Sequence, residues 1–368
     1  MRVLVANAGS SSLKLSLLDG DDRTLASREL DAPGARIDAG ELRDALDSGL
    51  RDADVVGHRI VHGGDRFRAA VRIDSEVEAA LRALSYLAPL HQAKSLGALD
   101  ALRAALPALP AVACFDTAFH ATLPAAASTY ALPAAWREHF AIRRYGFHGL
   151  SHGWVARRAP VLLGREGADG LRLVSCHLGS GASLCAIADG RSIDTTMGFT
   201  PLEGLVMATR SGSVDPGLLL WLLQHGGLSQ DELAHALEHE SGLLGLAGTA
   251  DMREVLARAD AGEGTAGLAL EVYIHRLVGA IAAMAAALGG IDALIFTGGV
   301  GERSPAVREG AVERLCFLGL ELDAGRNGAA SGDADVSADG AAARTLVIAA
   351  REDLEIARQA RAVLGGGA

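Results

Sequence analysis

Ten residues, Arg143-Arg144-Tyr145-Gly146-Phe147-His148-Gly149-Leu150-Ser151-His152, set two arginines, a histidine and a glycine turn side by side. Guanidinium and imidazole donors beside a glycine that admits close backbone approach suit an anionic substrate. Two further arginines lack the company of a solvated charge run. Arg59 stands in Gly57-His58-Arg59-Ile60-Val61-His62-Gly63-Gly64, and Arg210 in Ala208-Thr209-Arg210-Ser211-Gly212. Arginines among apolar and small residues either form buried ion pairs or neutralise and align anions. Two glycine-serine segments, Asn7-Ala8-Gly9-Ser10-Ser11-Ser12 and Gly179-Ser180-Gly181, can point several backbone N–H groups at one phosphate. Neither ends in Gly-Lys-Ser/Thr, so neither is a Walker A loop.

The elements around these residues explain how they could be held. An apolar run at 2–6, a glycine-serine turn and a second run at 13–18 read as strand, tight turn, strand. The pattern recurs at 171–177, the turn 179–181 and 182–188, which suggests a diverged internal duplication. A third apolar strand, 293–296, leads into Thr297-Gly298-Gly299-Val300-Gly301. Helical spacing and punctuation predict helices over 75–84, 95–106 (ending at Pro107), 151–159 (stopping before Pro160), 216–225 and 265–288. Residues 323–343 mix Gly, Ala, Asp and Ser without period and read as a surface loop. A last strand at 346–349 precedes a helix over 352–364. Strands and helices mixed along the chain indicate α/β layers.

Six segments, read in order, complete one pattern. They are the stretches around Asn7, Arg59 and His148 quoted above, together with Phe115-Asp116-Thr117-Ala118-Phe119-His120, Pro201-Leu202-Glu203-Gly204-Leu205-Val206-Met207-Ala208-Thr209-Arg210-Ser211-Gly212, and Phe296-Thr297-Gly298-Gly299-Val300-Gly301-Glu302. Together they resemble the acetate kinase family of short-chain carboxylate kinases, from Asn7 to Arg351-Glu352-Asp353-Leu354. The resemblance implies an α/β fold of two duplicated actin-like ATPase (ribonuclease H-like) domains with an active-site cleft between them. The implied domains are 1–147 with the C-terminal helix 355–368, and 148–354 for nucleotide binding and dimerisation.

The resemblance also assigns roles. It implies reversible transfer of the ATP γ-phosphoryl group to acetate, giving acetyl phosphate and ADP. Propionate or butyrate as acceptor, or a pyrophosphate- or phosphate-dependent variant, are the alternatives. Arg59, Arg210, Asp116 and His148 match catalytic positions. Two guanidinium groups would neutralise the attacking carboxylate and the phosphoryl group, and His148 would donate to an equatorial oxygen. Asp116 would orient the acceptor or an arginine. Val61, Leu90, His91, Phe147 and Pro201, with Arg59, match the acceptor pocket. Ser12, Lys14, His177, Gly179, Ser180, Gly181, Asp251, Arg253, Gly298, Gly299, Val300 and Gly301 match nucleotide-binding positions. Asn7 and Glu352 match positions at Mg²⁺, for which Mn²⁺ is a possible substitute, and Asp116 is a further carboxylate match. Read without the resemblance, Glu352 is equally an acid placed by the helix dipole, and the apolar pocket residues are core. Acetate is ionised at pH 7, so no general base is needed.

Three segments depart from the family pattern. Ser180 stands where asparagine is usual, Gln92-Ala93 where Asn-Pro is usual, and Ser213 where an aspartate is usual. The last two are expected to alter the cleft surface.

Bulk properties exclude other classes. At 368 residues, two domains are expected. Hydrophobic residues at 49% and charged residues at 21% indicate a globular chain. A net charge of −11 argues against a nucleic-acid or anionic-membrane binder. Cys114, Cys176, Cys185 and Cys316 lie far apart without a CxxC spacing and read as buried free thiols. The first residues run straight into a strand-like segment without the regions of a signal peptide, so secretion is not expected, and the apolar stretch 277–291 falls short of a membrane span and reads as a buried helix. The expectation is a cytoplasmic homodimer acting on small molecules.

Overall fold

The structure is a computed structural model that describes residues 1–9, 12–32, 37–87 and 89–365, with backbone alone for 89–91. Its residues fall into two compact units. The first comprises 1–121, 147–154 and 351–368, and the second 122–146 and 155–350. These borders differ from the expected 147/148 and 354/355, because the segment 122–146 packs within the second unit and 147–154 within the first.

The first unit holds a six-stranded sheet of β1 (Val3–Ala8), β2 (Ser12–Leu18), β3 (Thr24–Asp31), β4 (Val55–Ile60), β5 (Val71–Arg72) and β6 (Ala111–Phe115), in the order β3-β2-β1-β4-β6-β5. β1 and β2 pair antiparallel from Val3↔Leu18 to Ala8↔Leu13, while β1, β4 and β6 run parallel. β1 is apolar from Val3 to Ala6 because both faces are covered there. Leu4 and Ala6 pack with Leu42, Leu46, Ala98 and Leu102 on one side. Val3 and Val5 pack with Leu150, Ile356, Ala357 and Ala360 on the other. The helix Glu352–Leu364 therefore belongs to the core of this unit.

The second unit repeats the plan with β7 (Arg172–Leu178), β8 (Ala182–Ala188), β9 (Arg191–Thr195), β10 (Ala293–Thr297), β11 (Ala334–Asp335) and β12 (Arg344–Val347), in the order β11-β12-β10-β7-β8-β9. Again an antiparallel meander leads into parallel strands with an antiparallel strand at the edge. A glycine N–H donates at each hairpin connection, Gly9 to Ser12 O at 2.8 Å and Gly179 to Gly181 O at 3.0 Å. The suggested duplication is thus the organising feature of the fold.

Several local expectations are corrected. A helix begins at Pro89, not at residue 95, since proline is tolerated in a first helical turn. The helix Gly149–Leu162 runs through Pro160, where only the final turn is affected. Residues 323–343 are not merely a surface loop. They contain the helix Ala324–Ala329, strand β11 and the buried side chains of Asn327, Val336 and Ser337. Gly298 to Gly301 do not form a loop but open the helix Gly298–Arg303 directly after β10. Cys316 is exposed, whereas the other three thiols are buried. The helix Gly264–Ala287 is long and apolar enough to cross a membrane by length and composition. In this unit it buries one stripe, including Ala266, Ala269, Tyr273, Leu277, Ile281 and Met284, and leaves Leu268, His275 and Gly279 exposed.

Candidate active site

Three neighbouring parallel strands of the first unit deliver Asn7, Arg59 and Asp116 to one place. Asn7 lies near the end of β1, Arg59 near the end of β4, and Asp116 directly after β6, with its N–H on Ile60 O at 3.0 Å. Carboxyl ends of parallel strands are where open α/β sheets bind ligands. Glu352, first residue of the helix packed on this sheet, closes the group. Arg59 donates from Nε and Nη2 to Asp116 Oδ2 at 3.0 and 2.7 Å, and from Nη1 to Asn7 Oδ1 at 3.1 Å. Asn7 Nδ2 donates to Glu352 Oε2 at 2.8 Å, and Arg59 Nη1 lies 3.7 Å from the same oxygen.

One guanidinium thus faces two carboxylates in a poorly solvated place. The Arg59 and Asp116 side chains are 15% and 1% exposed. Burial lifts the Asp116 carboxyl to about 6; Arg59 opposes the shift and Glu352 adds to it. Burial would depress Arg59, but Asp116 and Glu352 outweigh it and raise its pKa. Arg59 is therefore a permanent cation. Asp116 Oδ1 is buried without a hydrogen-bond partner, an acceptor left open toward whatever occupies the site.

His148 is brought to the same strand end. Gly149 N–H donates to Asp116 O at 2.8 Å, and His152 N–H to His148 O at 2.9 Å, so His148 sits at the start of the helix Gly149–Leu162. Its φ of 55° is left-handed, a conformation that a histidine adopts at some cost and that recurs at functional sites. The histidines not assigned to chemistry are architectural. His120 Nε2 meets Phe147 O at 3.0 Å, while the His62 ring stands edge-on to Phe147 at 5.4 Å and its Nδ1 accepts from Gly64 N–H at 2.9 Å. Burial depresses both to about 4, so both are neutral at pH 7. Val61 and Phe147 are buried in this unit. The side chains of Leu90 and His91 lie outside the described residues, as do Ser10 and Ser11 of the first glycine turn. Lys14 and Ser12 both meet Glu29, at 3.9 and 2.6 Å.

The second unit assembles a different set. The Arg210 turn is tied to the second glycine turn, with Ala208 N–H on Ser180 O at 3.1 Å. Met207 N–H closes on Arg210 O at 3.2 Å, and Leu243 and Leu244 N–H hold Met207 O and Ala208 O at 2.9 and 3.0 Å. Burial lowers the Arg210 pKa, and Glu238 opposes the shift. His177 lies in register with Thr297, the residue before Gly298. Glu302 folds back so that Oε1 accepts from Gly298 N–H at 2.9 Å and Ala350 N–H at 3.0 Å. The wholly buried Arg308 holds the other end of this helix through Gly301 O and Glu302 O, both at 2.9 Å. Asp251 caps the helix Met252–Asp260 and pairs with Arg253 at 2.5 Å. Pro201 is half-buried.

Two readings of the sequence are overturned here. Arg144, half of the arginine pair first read as an anion site, is engaged by Glu203 Oε1 at 2.7 Å and by Thr196 O and Met197 O at 3.0 and 3.1 Å. Gln92, expected to alter the cleft surface, is fully buried and bonded to His62 O and Leu81 O at 3.4 and 3.3 Å. Its long amide spans between two backbone carbonyls. Glu203 and Glu302 lay inside quoted motifs that gave them no role, and Tyr130 and Arg308 lay in none.

A family model described as the acetokinase family matches residues 36–358. An acetate kinase of Gloeobacter violaceus is 46% identical, with 98% of each chain covered. An acetate kinase of Deinococcus radiodurans is also 46% identical, over 100% of this chain and 99% of the relative. Among solved structures, the acetate kinase of Porphyromonas gingivalis superposes with a TM-score of 0.91 at 35% identity, covering 99% of both chains. A propionate kinase of Francisella tularensis gives 0.91 at 34% identity, covering 98% of this chain and 99% of the other. With a sequence motif set, a doubled fold and full-length relatives in agreement, the chain belongs to the acetokinase family.

Proposed function

We propose that this protein transfers the γ-phosphoryl group of ATP to the carboxylate of acetate, reversibly, giving acetyl phosphate and ADP. Family membership supports the reaction class. The observation that carries the reading within the site is the buried Arg59 fork held by Asp116 and Asn7. A guanidinium fixed in that way neutralises an incoming carboxylate without having to reorganise. Asp116 holds Arg59 in orientation. His148 supplies a hydrogen bond to an equatorial phosphoryl oxygen, and Arg210 neutralises charge on the phosphoryl group. Val61, Phe147, Leu90, His91 and Pro201 shape the acceptor pocket. Ser12, Lys14, His177, Gly179, Ser180, Gly181, Asp251, Arg253 and the residues 298–301 serve the nucleotide. Gly298 contributes by its shape, because its own N–H is taken by Glu302. An acceptor already ionised at neutral pH needs no base, so catalysis rests on positioning and electrostatics.

A divalent cation, Mg²⁺ or Mn²⁺, fits the donors present. Asn7, Glu352 and the partnerless, buried Asp116 Oδ1 are hard oxygen donors, few in number, as suits a cation that keeps several waters and phosphate oxygens. When bound between these residues and the nucleotide, such a cation would offset phosphate charge. The chain works as a homodimer in the cytoplasm. A hydroxamate assay with Mg-ATP and acetate, propionate or butyrate in parallel tests the proposal. Acetate should give the highest kcat/KM. Absence of acyl phosphate with every acceptor, despite nucleotide binding, would overturn it.

A further inference from the structure

The arginine pair at 143–144 was left without a role once Arg144 proved to be engaged. Its partners form a compact set within the second unit. Tyr130 Oη donates to Glu203 Oε2, and Arg144 Nη2 donates to Glu203 Oε1 at 2.7 Å. The Arg144 guanidinium also lies over the Tyr130 ring at 5.4 Å. Arg144 and Tyr130, joined through Glu203, then reach for one stretch of backbone. Arg144 Nη1 holds Thr196 O and Met197 O, Phe199 N–H donates to Tyr130 Oη at 2.9 Å, and Tyr145 and Gly146 N–H hold Gly198 O at 3.1 and 3.3 Å. The stretch lies so close that a Cβ on Gly198 would come within 1.8 Å of Glu203 Oε2 and 2.1 Å of Tyr130 Oη.

The grip continues along the chain. Gly204, beside Glu203, exchanges two bonds with Ser213, N–H to Oγ at 3.1 Å and O from N–H at 2.9 Å. The loop so closed contains Arg210. Pro201 lies between the gripped carbonyls and Glu203.

We propose that Tyr130, Glu203 and Arg144 form a positioning cluster that fixes residues 196–213, and through them Pro201 and Arg210, for the carboxylate acceptor. None of the three touches substrate. Arg144 and Tyr130 act through the backbone they hold, and Glu203 acts through those two side chains. The inference rests on the functional reading above for the identity of the acceptor, but the grip itself can be measured without any activity.

The test uses the full chain and the variants Tyr130→Phe, Glu203→Gln, their combination, and Arg144→Lys. Amide exchange at Phe199 should quicken in Tyr130→Phe, which reports the grip alone. With acetate varied, each single variant should lose on the order of tenfold in kcat/KM for acetate, while KM for ATP stays within about twofold. The double variant should lose no more than the worse single one, since both changes break one shared hydrogen bond. Arg144→Lys should retain part of the activity, because lysine keeps the charge but not the fork over two carbonyls. Unchanged exchange at Phe199, or single losses that multiply in the double variant, would overturn the proposal. So would losses that fall equally on ATP and acetate. An unaltered protein that makes no acyl phosphate would remove the functional reading, and quickened or unquickened exchange at Phe199 in Tyr130→Phe would still decide whether the grip exists.

Discussion

Gly149 is the residue whose replacement should separate the site from its scaffold. A Cβ built on Gly149 would stand 2.1 Å from Asp116 O and 2.9 Å from Phe119 Cβ. Carbon contacts settle near ~3.5 Å, so the alanine must push the strand end or the helix start by about 1 Å. The backbone that moves carries Asp116 on one side and His148 on the other. Overpacking of this kind costs about 1–3 kcal/mol. The hydrogen bond from Gly149 N–H to Asp116 O, 2.8 Å long, is weakened as well, at about 1 kcal/mol. Misplacing a catalytic group by about 1 Å lowers the rate on the order of 100-fold. Gly149→Ala should therefore lower kcat about 100-fold and lower Tm by a few degrees. Gly153→Ala on the same helix is the control. Its nearest neighbour would be Phe119 Cδ2 at 3.4 Å, and alanine favours the helix by about 0.5–1 kcal/mol. Acyl phosphate formation and thermal unfolding of both variants decide the matter. Unaltered kcat in Gly149→Ala, or an equal loss in Gly153→Ala, would refute the reasoning.

Three other outcomes are expected. Asp116 has a raised carboxyl pKa of about 6, so the ion pair with Arg59 forms fully only above that pH. The kcat/KM for acetate should rise with pH through about 6, and this limb should vanish in Asp116→Asn; by linkage the same raised pKa favours the folded state below the ordinary carboxylate range and loses that contribution as pH rises to about 6. Arg59→Ala leaves Asp116 and Glu352 without their shared cation and should cost about 3–5 kcal/mol in denaturant unfolding; kcat should fall at least ~1,000-fold, with Arg59→Lys recovering stability more than rate. Ser180 is exposed and holds Ala208 through its backbone oxygen alone, so Ser180→Asn should fold normally and keep or raise kcat/KM with ATP; a clear fall would count against a role for an amide at that turn.

The strands and their turns were legible because an apolar run covered on both faces and broken by Gly-Ser has few other readings. The recurrence at residues 171–188 of the pattern at 2–18 pointed to duplication before any register was known. Arg59, Asp116 and Asn7 could be nominated from motifs, yet their meeting depends on β1, β4 and β6 lying side by side, which no local pattern states. Gln92 and Arg144 were misread for one physical reason. A polar side chain in a sequence looks available, and only tertiary packing reveals that backbone carbonyls have claimed it. The segment 323–343 hid its structure for the opposite reason. Its short helix and edge strand are too brief to show a period, and Arg308 secures the helix through Asn327 Oδ1 and O, both at 2.7 Å. The helix Gly298–Arg303 was concealed by its glycines, which signal a turn wherever they cluster.

The central claim is that γ-phosphoryl transfer goes to a carboxylate and not to water. ³¹P NMR of the protein with Mg-ATP and acetate follows both fates in one sample. Acetyl phosphate and ADP should appear in equal amounts, with neither formed when acetate is omitted. Inorganic phosphate released at the same rate with and without acetate would contradict the account.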